Sequence, residues 1–340
     1  MEQPDRPPAM KKRALNLPTI LLCLSYVPGL SANSLEADYR LLRPLPTHNM
    51  YPAMLRNYDP VPSSALDPYR HGIRFGLFQH YTSAYIYDEL PDGRLLADME
   101  IYTLEFKMDK SITSNTELGL TLPIHYAWDG FLDDFLRTYH DTLGIPNSGR
   151  EFRPDNEYAW TYKNADGSEV WDDKAGWEFG NAETRLRHQL ITDDRYGLSL
   201  LAALKLPTGS KSRGWSSGYL DAAVGLVYSW KGSPWFGHIE GWAIYPFSSD
   251  ESEFNYRSYA RGSVTLGWMW NARLSLLGQL QGGSSVYDTD LSQLDSSPFQ
   301  LSLGLNWLIT ENSMINFSFV ENISQQTAPD FTITIGLNFE

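Results

Sequence analysis

The feature that most constrains this chain is an alternation of apolar and polar residues that recurs in segments of about ten from residue 72 onward. In residues 331–339, Phe, Ile, Ile, Leu and Phe alternate with Thr, Thr, Gly and Asn. Successive side chains of a β-strand point to opposite faces, so each segment predicts a strand that meets a different environment on each face. The predicted strands are 72–83, 97–108, 114–127, 180–192, 195–206, 218–230, 235–247, 258–269, 272–284, 297–308, 312–321 and 330–339.

The connections between these strands alternate between short and long. An even number of antiparallel strands, with tight turns at one end and longer loops at the other, is typical of bacterial outer-membrane barrels. A soluble β-sandwich is the alternative, but it gives no reason for this order. We therefore predict an all-β fold, a transmembrane antiparallel β-barrel of about twelve strands with both ends on the periplasmic side. The predicted long connections are 88–96, 128–179, 207–217, 248–257, 285–296 and 322–329.

The aromatic residues fit the same architecture. They make up 14% of the chain, with eleven Trp and twenty Tyr. Trp and Tyr favour the headgroup level of a membrane because an apolar ring carries a polar group. The residues expected at the turn side are Trp230, Trp235, Trp268, Trp270 and Trp307, and those expected at the loop side are Tyr85, Tyr87, Trp128, Tyr245, Tyr256 and Tyr287.

The first 32 residues have the order of a secretory signal peptide. A basic segment at 10–13 precedes an apolar core at 15–30, and small residues follow at 31 and 32. Met10 is a better start than Met1 because the residues before it add nothing to the signal. A short membrane anchor is the alternative, but the apolar run is too short to span a bilayer. The only cysteine, Cys23, lies within this segment, so no disulfide is expected after cleavage.

Residues 33–71 differ from the barrel segment 72–340. They contain six Pro and no sustained alternation, which indicates an extended, Pro-punctuated segment. This segment either lies in the periplasm or enters the barrel lumen, and the sequence favours neither.

If the apolar faces contact lipid, the opposite faces line the lumen. A barrel of about eight strands is filled by its own side chains and one of sixteen leaves an open channel, so twelve strands lie between these cases. A basic cluster of Arg185, Arg187, Lys205, Arg261 and Arg273 facing acids would form a selective constriction or, equally, an ion-pair network that seals the lumen. The further lumen-facing candidates are Arg74, His80, Glu105, Lys107, Glu117, His125, Glu183, Gln189, Asp221, Glu240, Gln279 and Gln281.

The second long loop, 128–179, contains a predicted helix. Phe131, Leu132, Phe135, Leu136 and Tyr139 recur at helical spacing, and acidic residues stand near the N-terminal end, where the helix dipole favours them. This short amphipathic helix in an extracellular loop would fold inward as a constriction or pack across the rim of the barrel.

Several short motifs resemble a known family. Residues 122–125, 130–133, 140–146 and Arg150 resemble a proteobacterial domain-of-unknown-function family of outer-membrane β-barrel proteins. The run 205–209 with Ser217, Gly218 and Asp221 is similar to a strand-loop pattern of aromatic-degradation transporter barrels. The resemblance implies location and fold rather than activity. One departure is that Phe339 is followed by Glu340, whereas such barrels commonly end on an aromatic residue. The resemblance draws attention to Gly130, Phe131, Asp133, His140 and Arg150.

These observations lead to three hypotheses for function. The first is a narrow channel or transporter for small hydrophilic or aromatic solutes, and the second is a sealed barrel with a structural or interaction role. The third, a lipid hydrolase, needs Ser and His on the lipid-facing rim. His188 falls on the lipid-facing side of its predicted strand, but it has no evident Ser partner.

The location and the partners follow from the same interpretation. We expect export to the outer membrane, with outer-membrane lipids, lipopolysaccharide, the barrel-assembly machinery and a small solute as partners. The net charge of −14 argues against nucleic acid. No metal site and no cofactor is predicted.

Overall fold

The computed structural model describes residues 38–67, 72–90, 93–144, 153–164, 166–249, 253–324 and 327–340. The predicted signal peptide therefore lies outside the described residues. No helix in the described part of the chain is long and apolar enough to cross a membrane. The described elements are a 3-10 helix (Tyr39–Leu42), β1 (Ile73–Leu90), β2 (Gly93–Thr113), β3 (Thr116–Trp128), α1 (Asp133–Leu143), β4 (Ala159–Asn164), β5 (Glu169–Asp172), β6 (Gly176–Phe179), β7 (Ala182–Thr192), β8 (Tyr196–Leu206), β9 (Asp221–Gly232), β10 (Trp235–Pro246), β11 (Tyr259–Asn271), β12 (Leu274–Gly283), α2 (Ser292–Asp295), β13 (Phe299–Thr310), β14 (Ser313–Asn322) and β15 (Phe331–Phe339).

Twelve of the described strands close into an antiparallel barrel. β1 pairs with β2, β2 with β3 and β3 with β7, and each strand from β7 to β15 pairs with the next. The seam joins β1 to β15 from Phe75 opposite Phe339 to Ser83 opposite Phe331. This arrangement confirms the predicted twelve-stranded barrel. We call the end that carries the short connections the turn end and the opposite end the loop end.

The alternation of residue types explains which face of each strand points outward. In β13, Leu303 is 56% exposed, whereas the adjacent Ser302 is fully buried. In β9, Tyr228 is exposed and the adjacent Ser229 is fully buried in the same way. Large apolar side chains therefore prevail on the outer face and polar ones on the inner face, the opposite of a soluble protein. An apolar outer belt around a polar interior is the arrangement that lipid requires.

The aromatic residues confirm the expectation at the turn end and correct it at the loop end. Trp235 stacks on Trp268 at a ring-centroid distance of 6.2 Å, and Trp270 is 54% exposed. Tyr256 and Tyr287, expected in the outer belt of the loop end, are instead packed against each other at 5.4 Å, and Tyr287 is fully buried.

Two predicted connections are wrong in detail. The segment 88–96 is not a loop, because β1 and β2 continue as a hairpin until Leu90 pairs with Gly93. The segment 128–179 contains β4, β5 and β6 in addition to the predicted helix α1. β4 pairs with the start of β2, and β6 pairs with the end of β3. Strands that project beyond the barrel expose unpaired backbone groups, and these added strands cover them.

Residues 38–67 lie inside the barrel and form what we call the lumen hairpin. Its first arm rises from the turn end beside β11–β14, and its second arm descends beside β7–β10. Residues 52–57 form the bend between the arms near the loop end. Met50, Met54 and Leu45 are almost fully buried. Of the two predicted locations, the periplasm and the lumen, the described part of the Pro-rich segment occupies the lumen.

Candidate functional site

The rising arm of the lumen hairpin is held by neutral polar side chains of the barrel wall. Ser275 Oγ donates to the carbonyl of Leu41 at 2.7 Å, and Leu45 N donates to Gln279 Oε1 at 3.1 Å. Further along, the Thr47 hydroxyl donates to Gln281 Oε1 at 2.6 Å. Each contact pairs a backbone or hydroxyl group that would otherwise be buried without a partner.

The descending arm is held mainly by charged side chains. Asp59 pairs with Arg261 at 2.7 Å, and Ser63 N donates to Glu240 Oε2 at 2.7 Å. Lower down, Gln189 donates to the carbonyl of Ala65 at 2.8 Å. Hydrogen bonds that involve an ionised group are stronger than neutral ones, so the contacts of Arg261 and Glu240 hold this arm more firmly than neutral contacts would.

The two arms meet at the turn end in a network of ion pairs. Asp67 lies 3.0 Å from Arg43 of the rising arm and 2.7 Å from Arg74 of β1. Arg74 also contacts Glu117, and Arg43 contacts Glu340. Glu340, the residue that departs from the aromatic ending of similar barrels, therefore helps to hold the hairpin. Because nearly every charge here has an opposite partner, the network offsets the cost of removing these groups from water.

An aromatic cluster covers the bend of the hairpin at the loop end. Arg56 forms an ion pair with Glu253, and its guanidinium carbon lies 4.2 Å from the ring centroid of Trp171. Glu253 also lies 3.4 Å from the ammonium group of Lys211 in a loop. Partial burial lowers the pKa of Lys211, but the charge of Glu253 and the hydrogen bonds to Tyr219 and Glu253 together outweigh this effect and raise the pKa. The cluster also includes buried Trp160, Tyr162, Trp215, Phe254 and Tyr287.

The motif at 205–221 converges on the bend. Lys205 Nζ lies 3.3 Å from Asp221 Oδ2 and donates to Ser217 Oγ at 2.7 Å and to the carbonyl of Arg56 at 3.0 Å. Asp221 in turn accepts from Tyr58 N at 2.7 Å. The side chains of Lys205 and Asp221 are both fully buried. These motif residues therefore fasten the top of the descending arm to the wall.

A row of cavities runs between the lumen hairpin and the wall formed by β1, β2, β3 and β7. The most spacious of these lies at the turn end beside Arg74 and Phe339 and has about 70 Å³ of room for water. The second, with about 30 Å³, shares Lys107 and Arg185 with the first, and the third, with about 20 Å³, shares Glu105 and Glu183 with the second. The row thus extends from the turn end to the level of His125, on which Trp215 stacks at 5.2 Å. We call this row the side passage.

The charge of the side passage changes sign along its length. The cavity at the turn end is lined by five basic and three acidic side chains. The cavity nearest the loop end is lined by three acidic side chains, Asp59, Glu105 and Glu183, with His48 and His125 beside them. The charged side chains that line the cavity at the turn end are Arg43, Arg74, Lys107, Arg185 and Arg187 with Asp67, Asp109 and Glu117.

Two histidines and a carboxylate meet beside the side passage. His48 Nε2 of the lumen hairpin lies 2.7 Å from Glu105 Oε1 of β2. His80 Nε2 of β1 lies 3.5 Å from Glu105 Oε2. All three residues are buried. Sequence reasoning named His80 and Glu105 as lumen-facing but did not name His48.

The predicted lumen-facing residues fall into two groups. Arg273 lies in the turn between β11 and β12, where it is exposed and outside the lumen. It is the one cation of the predicted basic cluster that faces neither the hairpin nor the side passage, because β11 ends at Asn271 and Arg273 belongs to the turn that follows. The others contact the hairpin, line the side passage or pair with residues that do: Arg74, His80, Glu105, Lys107, Glu117, His125, Glu183, Arg185, Arg187, Gln189, Lys205, Asp221, Glu240, Arg261, Gln279 and Gln281.

Gly130 and Phe131 of the loop motif lie away from the lumen. Gly130 has a positive φ of 79°, and the backbone N–H groups that follow it, at Phe131 and Leu132, donate to Glu100 Oε1. Phe131 is 66% exposed, and its ring lies 6.2 Å from that of Tyr81, an outward-facing residue of β1. The start of α1 therefore packs on the outer rim and does not constrict the lumen.

The sequence singles out four further residues, in the 128–179 loop and in β7. Asp133 is buried and accepts from Asn156 N at 2.7 Å. His140 belongs to α1, and Arg150 lies outside the described residues. His188, considered for a hydrolase, lies 2.9 Å from the hydroxyl of Thr116 through Nδ1.

Sequence reasoning missed the half of the site that the hairpin supplies. Arg43, Asp59 and Asp67 pair with the wall residues Arg261 and Arg74 or with each other. The only signal in the sequence was the presence of these charged residues in a Pro-rich segment.

Comparison with known proteins agrees with the fold. A solved outer membrane channel from Pseudomonas putida F1 is similar to the chain with a TM-score of 0.52 at 11% identity, covering 83% of this chain and 99% of that one. The NanC porin gives a TM-score of 0.47 at 8% identity over 78% and 99%. The comparison with curated proteins gives no match. A family model described as protein of unknown function (DUF3187) matches residues 20–340. The chain therefore belongs to this family, as its loop motifs predicted.

Proposed function

We propose that this protein is an outer-membrane channel for small hydrophilic solutes, and that the lumen hairpin gates it. The side passage is the observation that carries the proposal. It follows the wall from the turn end to the level of His125, where Trp215 and the aromatic cluster cover it. A lumen that was merely filled for rigidity would gain from closing these spaces, because an interior without voids is more stable.

The contacts of the hairpin suit a movable element. The wall holds it through hydrogen bonds and ion pairs, such as those of Gln279, Glu240 and Arg261, and also through apolar packing, such as that of Leu45 with Phe236 and Leu277. Polar groups released from such contacts exchange their partners for water at a small net cost in free energy. The apolar part of the interface would expose its surface to water on opening, so it favours the closed state of the gate.

The lining of the side passage favours hydrophilic over aromatic solutes. Charged groups of both signs surround the cavities. The aromatic side chains of the lumen are concentrated at the loop end, where they pack against each other and against Arg56. A solute with a charged or strongly polar group would find hydrogen-bond partners along the passage. An aromatic hydrocarbon would find none, and it would displace water from the charged groups of the lining.

A sealed barrel with a structural role is the second candidate. Both arms of the hairpin are bonded along their length, and Asp67 joins them at the turn end. In this case the side passage would hold only water, and the hairpin would remain in place under all conditions.

Planar-bilayer recording separates the two candidates. The refolded wild-type chain is compared with a variant that lacks residues 39–66. We expect small or intermittent currents from the wild type and a larger, steady conductance from the deletion variant. The control is Arg137→Gln, because Arg137 lies on α1 and pairs there with Asp155. A folded deletion variant that conducts no more than the wild type would contradict gating by the hairpin.

Ion selectivity tests the route itself. Replacing Arg185 by Gln removes a positive charge from the passage and should shift the reversal potential in a salt gradient toward cation preference. Asp109→Asn, which removes a negative charge from the same passage, should shift it in the opposite direction. Arg257→Gln is the matched control, since Arg257 pairs with loop residues at the loop end. Equal reversal potentials for all variants would place the current elsewhere.

A further inference from the structure

We propose that His48, His80 and Glu105 form a binding site for a divalent transition-metal ion, Zn²⁺ foremost, that ties the lumen hairpin to the barrel wall. One ligand atom from each residue lies within 4.8 Å of the other two. His48 comes from the hairpin, His80 from β1 and Glu105 from β2. The site exists only when the hairpin occupies the lumen.

One ring nitrogen of His80 is available as a metal ligand. Its Nδ1 lies 2.9 Å from the hydroxyl of Thr334, which fixes the orientation of the ring. Its Nε2 is buried and has no hydrogen-bond partner among the described residues, because Glu105 Oε2 is 3.5 Å away. A histidine that binds a metal through one nitrogen almost always bonds a neighbour through the other. A buried polar atom without a partner is costly, and a metal ion would remove that cost.

The three ligand atoms lie within 4.8 Å of one another and need only a small contraction to hold a dication. Zn²⁺ binds His nitrogen and carboxylate oxygen at about 2.0–2.2 Å in a tetrahedron, which places neighbouring ligand atoms roughly 3.3 Å apart. Glu105 Oε2 and His80 Nε2 are already 3.5 Å apart. His48 Nε2 and Glu105 Oε1, at 2.7 Å, need to separate by about 0.6 Å when the ion replaces the proton between them.

The donor set indicates the class of metal. Imidazole nitrogen suits Zn²⁺, Cu²⁺ and Ni²⁺, whereas Mg²⁺ and Ca²⁺ prefer oxygen donors. Three protein ligands leave a fourth position, and the third cavity of the side passage, with about 20 Å³ of room for water, is lined by both His48 and Glu105. A water molecule in that cavity can complete the tetrahedron.

The competing interpretation is a hydrogen-bonded His–Glu–His group that holds only protons. Metal binding distinguishes the two directly. The refolded chain is titrated with Zn²⁺ in competition with a chromophoric chelator, and Co²⁺ is then used because tetrahedral Co²⁺ has characteristic visible absorption bands. We expect one Zn²⁺ per chain, and a loss of affinity of at least about tenfold in each of His48→Gln, His80→Gln and Glu105→Gln.

The control is His238→Gln. His238 is another buried histidine of the lumen, and its Nε2 lies 2.6 Å from the carbonyl of Leu42 in the same hairpin. This variant should bind Zn²⁺ as the wild type does. Heat-modified electrophoretic mobility reports whether each barrel has folded, and His48 lies outside the strands, so its replacement leaves the wall intact. The proposal is overturned if the wild type binds no stoichiometric Zn²⁺, or if the three variants bind it as tightly as the control. The test concerns the hairpin and the wall alone, so its result is separate from whether the barrel conducts.

Discussion

Replacing Lys205 by Met should loosen the lumen hairpin at its bend. Lys205 and Asp221 form a fully buried ion pair, and each also bonds the hairpin backbone, at the carbonyl of Arg56 and at the N–H of Tyr58. The substitution keeps an apolar stem of similar length but leaves Asp221 charged and unpaired. Because the pair has no exposure, solvent does not screen the loss.

The expected magnitude follows from breaking a buried pair. Removing one partner costs about 3–5 kcal/mol, because the remaining charge stays buried without compensation. Asp221→Asn should cost a similar amount. The double variant Lys205→Met/Asp221→Asn leaves no uncompensated charge and loses only hydrogen bonds, about 2–4 kcal/mol in all. The coupling free energy of the pair is therefore at least about 2 kcal/mol.

Hydrogen exchange and denaturant unfolding measure this prediction. If the free energy needed to open the bend falls by about 3–5 kcal/mol, amide exchange at Tyr58 should become faster on the order of 10²–10³-fold or more. Urea unfolding of the refolded barrel, followed by Trp fluorescence, supplies the double-mutant cycle. A coupling below about 0.5 kcal/mol, with unchanged exchange at Tyr58, would refute the idea that this pair fastens the hairpin.

The remaining predictions concern the wall and the loops. Gly267→Ala would place a Cβ 2.0 Å from the ring of buried Phe236 and should destabilise the barrel by about 1–3 kcal/mol in urea unfolding. Gly241→Ala meets no atom within 4 Å and should stay within about 0.5 kcal/mol of the wild type, so equal effects would contradict the packing argument. Arg257→Gln breaks an ion pair with Asp295 whose side chains are 42% and 29% exposed. It should change the unfolding free energy by less than about 1 kcal/mol, and a larger loss would show that the loop end is held more firmly than its exposure suggests.

The barrel was predictable because its signal is local. The alternation of each strand and the length of each turn can both be seen in a short stretch of sequence. The number of strands and the face on which each residue lies therefore follow without knowledge of distant contacts. β4, β5 and β6 were not predictable in this way. They are short, and they form because the projecting ends of β2 and β3 offer edges to pair with, which is a property of the assembled barrel.

The site was predictable on one side only. The alternation of side chains along each strand identified Arg261, Glu240 and Glu105 as lumen-facing, because the face on which a residue lies follows from its position in the strand. The partners Asp59 and His48 belong to a segment without periodicity, and nothing local determines its path. Its conformation is set by the wall that surrounds it, so sequence reasoning correctly left two locations open and could not pair its residues.

The lumen hairpin also has a topological consequence. Contacts such as Leu45 with Gln279 join residues 234 positions apart, and Asn49 bonds the carbonyl of Thr327 across 278 positions. The contact with Thr327 cannot form until the segment between β14 and β15 is in place, so it belongs to a late step of folding. Both arms start at the turn end, where Arg43 and Asp67 meet, so the segment is a loop pushed into a cylinder from one side rather than a thread passed through it. It can be inserted or withdrawn without parting the seam between β1 and β15, and no knot forms or has to be undone.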